Sequence, residues 1–163
     1  MTILNIAVGA KKGILPLQIS NLHPTVSTLA NTDWQQTVSA IAKNKIVWDE
    51  TIDISVTTLD LLIGEYGLPH FCKIDVEGFE AEVLSGLTQA IPVISFEFFS
   101  FTPQITLDCL EHIDRLGDYE FNWSVGESQK MFINKWASAD EILESIQGFS
   151  KEKFSGDIYA KLR

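Results

Sequence analysis

Apolar residues along this chain come in short blocks, and their spacing switches between strand-like alternation and helical steps of three and four. Ile3 to Val8 reads as a short buried strand, GAKKG at 9–13 as a turn, and Ile14 to Ile19 as the returning strand of a hairpin. Residues 20–44 are rich in Ser, Thr, Asn and Gln around Trp34, and weak periodicity there predicts loop or partial helix. From residue 51 the pattern sharpens. Thr51 to Val56 alternates as a strand, and Thr57 stands three residues before Asp60 in the form of a capping box. The helix it opens runs through Leu59, Leu62 and Ile63 to about Tyr66, with Gly67 and Pro69 as stop signals. Phe71 to Val76 predicts a strand, and helical spacing then carries Phe79, Val83, Leu84 and Leu87 to a stop at Pro92.

Val93 to Phe98 is nearly all apolar or aromatic, as in a strand covered on both faces. Thr102 and Pro103 open a helix with an inner stripe of Leu107, Leu110 and Ile113, which Gly117 closes. Tyr119 to Val125 and Lys130 to Ile133 predict an antiparallel pair joined by the Gly126–Gln129 turn. Ser138 and Glu141 form a second capping box, heading a helix with Ile142, Leu143 and Ile146, and Asp157 to Leu162 is the last strand. Strands alternating with one-sided helices define an α/β class with a largely parallel sheet. At 163 residues, the expected organisation is one domain spanning 1–163.

Composition narrows the partners. A net charge of -10 repels phosphate, which argues against non-specific nucleic-acid or anionic-membrane binding. Cys72 and Cys109 fall within an apparent strand and an apparent helix, with no metal-ligand spacing and no disulfide framework. The opening MTILNIAVGAKK carries no leader pattern, and the greasiest run, Ile91 to Phe101, is interrupted by Pro92 and Glu97. The expected compartment is the cytoplasm.

Chemistry concentrates in KIDVEGFE, residues 73–80. Ligands of covered parallel sheets bind beyond the carboxyl ends of the strands, and this strand ends at Asp75-Val76-Glu77. Lys73, Asp75 and Glu77 share one side if the extended backbone continues, and the lysine can offset the carboxylates. Glu97 follows the same logic near the end of the next strand, close to Asp75. The same residues also fit a salt-bridged helix entry with Glu77 as a capping carboxylate. Trp34 and Trp48 fit either a pocket wall or packing against the sheet. No GxGxxG, P-loop or GxSxG occurs in the chain.

VTTLDLLIGEYGLPHFCKIDVEGFEAEVLSGL, followed by PVISFEF, resembles the FkbM-type methyltransferases. The pieces that carry the resemblance are Thr58-Leu59-Asp60, Lys73 to Gly78, and Leu84-Ser85-Gly86, with LNIAVGAKKG before them and SGDIYAKL after. The resemblance implies a class I, Rossmann-like fold and methyl transfer from S-adenosylmethionine to a hydroxyl of a sugar, lipid or small metabolite. It implies catalytic roles for Asp75 and Glu77 with Lys73 behind them, Asp75 also facing the cofactor. Glu97 and Trp34 become substrate-side candidates, and 20–44 a variable insertion over the substrate. Either carboxylate could act as general base or, with its neighbour, hold a divalent metal.

The family's glycine-rich cofactor loop precedes the segment matched here, so the chain reads as the last two-thirds of such an enzyme. Two expectations follow: weak S-adenosylmethionine binding by this chain alone, and an exposed sheet edge that invites a second copy or a partner. Two other readings stay open. One is a metal-dependent glycosyltransferase-like enzyme using the Asp75-Val76-Glu77 pair, and the other a non-catalytic or partner-dependent fragment.

Overall fold

The computed structural model describes residues 2–42, 46–128, 130–149 and 153–163. The end of the 20–44 insertion and Gln129 of the predicted turn lie outside them. The chain forms two compact units. One takes the chain up to Gly67 together with Val76–Leu87, and the other takes Leu68–Asp75 together with Thr88–Arg163.

The first unit holds a three-stranded sheet of β1 (Ala7–Val8), β2 (Gly13–Ile19) and β3 (Glu50–Thr57), in the order β1-β3-β2. The predicted hairpin is corrected: β3 lies between the two early strands, parallel to β1 and antiparallel to β2. Seven registered pairs, Gly13↔Val56 through Ile19↔Glu50, tie β2 to β3, a ladder that the two-residue β1 cannot match. The predicted strand over Ile3 to Val8 shrinks accordingly, and Ile3 is 80% exposed.

Among the described residues this unit also holds three α-helices. In α1 (Thr32–Ile41) the side chain of Asn31 accepts from the Trp34 amide at 3.0 Å, a first-turn cap inside the stretch expected to be loop or partial helix. In α2 (Leu59–Tyr66) the cap is Thr58, whose hydroxyl accepts from the Leu61 amide at 3.2 Å. That is one residue later than the Thr57–Asp60 pattern predicts, because Thr57 is spent as the last residue of β3 and the Asp60 amide donates to the Gly86 carbonyl. The third helix, α3, is a short Glu80–Ser85.

The second unit holds β4 (Phe71–Ile74), β5 (Val93–Phe99), β6 (Tyr119–Val125) and β7 (Ser155–Leu162), in the order β4-β5-β7-β6. Among the described residues of this sheet the β4–β5 pairing is the parallel one, and β7 runs antiparallel to both of its neighbours. The mostly parallel sheet is thus corrected for this unit. Lys130 to Ile133 is not a strand either. Its chain is held by the Phe132 amide on the Trp123 carbonyl and by the Asn122 side chain, which donates to the Ile133 carbonyl and accepts from its amide. β6 instead spends its ladder on β7, over seven registered pairs.

Helices α4 (Pro103–Leu116) and α5 (Ala139–Phe149) cover one face of this sheet. The predicted box heads α5: the Ser138 amide donates to Glu141 Oε2 at 2.9 Å, and the Glu141 amide donates to Ser138 Oγ at 3.4 Å. Ile94, Phe96, Phe98, Phe121, Trp123 and Ile158 point to the helices and are almost fully buried. Trp123 also donates through Nε1 to Ser145 Oγ on α5, at 3.1 Å. Each such side chain contributes about 1.5–3 kcal/mol by leaving water. The other face carries Lys73, Ser95, Glu97, Asp157 and Tyr159, all lining an open cleft, so β5 is not apolar on both sides as predicted. No helix among the described residues is long and apolar enough to cross a membrane.

Candidate active site

Strand register brings the polar residues together. Lys73 pairs with Ser95 across β4–β5, and Ser95 pairs with Tyr159 across β5–β7. One step on, Glu97 pairs with Asp157, which in turn pairs with Ser124. Asp75 follows the end of β4, one register step past Ile74↔Phe96 and so level with Glu97. Carboxylate oxygens of Asp75 and Glu97 lie within 4.8 Å of each other. Two rows of polar side chains therefore cross the sheet beside the carboxyl ends of its one parallel pair.

Lys73 ties these rows together. Its ammonium is hydrogen-bonded to Asp157, two strands away, and lies 3.5 Å from Asp75. Partial burial works against the lysine's charge. The Asp157 hydrogen bond and the negative charges of Asp157, Asp75 and Glu97 outweigh that, and the pKa lies above the ordinary lysine value. A hard divalent cation could take carboxylate oxygens from Asp75 and Glu97. It would compete there with an ammonium already paired to Asp75.

Glu77 sits differently from the strand-face expectation. β4 ends at Ile74, and Glu77 has a φ of 53°, a left-handed backbone unusual for a residue with a side chain. Strand alternation therefore does not carry Lys73, Asp75 and Glu77 as one row. The turn is held by Glu80, fully buried at 0% exposure, whose Oε1 accepts from the Val76 and Gly78 amides at 3.3 and 3.1 Å. Thr28 donates its hydroxyl to the Glu77 carbonyl at 2.7 Å. Gly78 lies on the Trp34 indole, and a Cβ there would fall well inside 3.0 Å of the ring. Trp34 is thus only 3% exposed and packs on this turn within the first unit, edge to face with Trp48.

The cleft on the polar face has a volume of about 510 Å³ and is lined by Lys73, Asp75, Ser95, Glu97, Asp157 and Tyr159 among others. Sequence reasoning reached Lys73, Asp75 and Glu97 but not Ser95, Asp157 or Tyr159. A signal for the last two was present. SGDIYAKL alternates, placing Ser155, Asp157 and Tyr159 on one side of the final strand. Which strand they would face was not readable, since that depends on β7 inserting between β5 and β6.

No curated protein and no solved structure matches the chain. The model of the methyltransferase FkbM domain matches residues 1–131, which takes in the β4 strand end, the turn after it and β5. The chain belongs to the FkbM methyltransferase family.

Proposed function

We propose that this chain supports O-methylation, with S-adenosylmethionine as methyl donor and a hydroxyl of a small, sugar-like or lipid molecule as acceptor. The observation that carries the reading is the meeting of Asp75 and Glu97, with Lys73 beside Asp75, at the carboxyl ends of the parallel strands β4 and β5. An acceptor hydroxyl brought to Asp75 would give up its proton to that carboxylate as its oxygen becomes the nucleophile. Glu97 would orient the acceptor through a second polar group. Lys73 would hold Asp75 in place and balance part of the local charge.

The donor's own cradle is a poor fit to the described residues. Glycines that approach their neighbours closely are filled by the protein itself: Gly9 by Phe79 and Val56, Gly86 by the Gly9 carbonyl, Gly156 by the Ser124 carbonyl. A dinucleotide-type glycine turn leaves such space for a ligand instead. The chain's own contribution is therefore placed on the acceptor side.

The test is methyl transfer by the purified chain at S-adenosylmethionine concentrations high enough to fill a weak donor site, with a panel of hydroxylated acceptors, read as a mass gain of one methylene unit. Asp75→Asn is expected to lower kcat/KM by about 10²–10⁴-fold, the usual contribution of a positioned base. Glu97→Gln is expected to act mainly on KM. Methylation unchanged by Asp75→Asn would remove that residue from the chemistry.

A further inference from the structure

The polar face of the second sheet holds more than methyl transfer at Asp75 requires. Ser95 is 1% exposed, its hydroxyl has no hydrogen-bond partner, and it lies on the floor of the cleft between Lys73 and Tyr159 in the sheet register. Ser124, also 1% exposed and without a partner for its hydroxyl, stands across from Asp157. Buried hydroxyls in native structures are normally satisfied, and Ser95, the one of the two that lines the cleft, points to a missing polar partner there.

Charge says what kind. The described cleft lining carries three carboxylates, Asp75, Glu97 and Asp157, against one ammonium, Lys73. Lys73 is engaged with Asp157 and Asp75, which leaves an excess of negative charge in a concave site. A protonated amine on the ligand would make charge-assisted hydrogen bonds there, and neighbouring ligand hydroxyls would serve Ser95 and the remaining carboxylate oxygens. The exposed ring of Phe71 and the side chains of Tyr159 and Met131 offer apolar surface for the C–H face of a sugar ring. The cleft volume of about 510 Å³ suits a small molecule of this kind. Asp157 and Tyr159 lie beyond residues 1–131, so this part of the site is not contained in the family match.

We propose that the polar face of β4, β5 and β7 is a binding site for an amino sugar, held through its protonated amine by Glu97 and Asp157 and through a hydroxyl by Ser95. The inference rests on the acceptor-side reading above and narrows it to one ligand class. Binding is tested without any methyl donor, so its outcome is independent of whether methyl transfer occurs.

Backbone amide spectra of the isotope-labelled chain would be titrated with glucosamine, galactosamine and mannosamine, with glucose and glucuronate as comparisons at equal ionic strength. At least one hexosamine is expected to give saturable shifts at Ser95, Glu97, Asp157 and Tyr159. Its affinity is expected to exceed that of glucose by about tenfold, the worth of one charge-assisted contact, with glucuronate weaker still. Glu97→Gln is expected to reduce the hexosamine preference toward the glucose level, and Asp157→Asn serves the same purpose if the first variant does not fold. Flat titrations with all three hexosamines, shifts mapping elsewhere, or equal response to glucuronate would overturn the proposal and leave the face as an ion-pair network only. Methylation of other acceptors alongside such a result would sink the ligand class and spare the methyl-transfer reading.

Discussion

Gly78 combines two demands that no other residue type meets at once. Its φ is 89°, and its missing Cβ is what lets the Trp34 indole lie on the turn. Gly78→Ala is expected to destabilise the chain by about 2 kcal/mol or more, from backbone strain plus displacement of the ring. Urea unfolding monitored by tryptophan fluorescence reads this, and a midpoint equal to wild type would refute the packing argument. Lys73 makes a different, pH-dependent prediction. Its folded pKa is raised above the unfolded value of 10.5, so the charged lysine's stabilisation is complete below that pH and fades as pH rises through the folded value. The side chain is 37% exposed, so solvent screening keeps the effect small. Thermal unfolding of wild type and Lys73→Met across about pH 8–12 should show a difference that is constant on the neutral side and shrinks on the alkaline side. A difference that never changes over that range would count against the Asp157 and Asp75 pairing.

Among the elements, β4 is the one whose position has consequences beyond itself. Among the described residues β4 is the edge strand of its sheet, hydrogen-bonded there to β5, and Phe71 at its start is exposed. Edges of this kind invite pairing with another chain unless blocked. The expected outcome is self-association through β4, seen by light scattering as a mass that climbs above the monomer with concentration. A constant monomer mass over that range would argue that the edge is protected. Element types were legible where local chemistry fixes them. α4 begins at Pro103 and stops at Gly117, and Ser138 with Glu141 caps α5, because those signals act over three or four residues. The hairpin of β1 with β2 and the strand at 130–133 failed for one reason. A strand's partner is chosen by ladder length and register across the sheet, and β3 and β7 offered longer ladders than the sequence neighbours did.

At the scale of the whole molecule, patterning points to a mixed α/β protein, and that much is a property of the sequence. Family membership was readable, since the TLD start and the KIDVEG stretch are each short runs of neighbouring residues. The candidate site was readable by halves. Lys73, Asp75 and Glu97 stand near the ends of two parallel strands, where a sequence argument can look for them. Asp157 comes from a strand 84 residues after Lys73, and only its insertion beside β5 brings it to that lysine. The chain by itself determined the α5 cap, the bounds of α4, most of the strand segments and the acidic strand end, because each follows from backbone and side-chain preferences of near neighbours. Tertiary structure alone decided which strands share a sheet, that the second sheet keeps one polar face, and that three carboxylates converge on one ammonium. Those outcomes depend on long-range register, and register is set only when the strands meet.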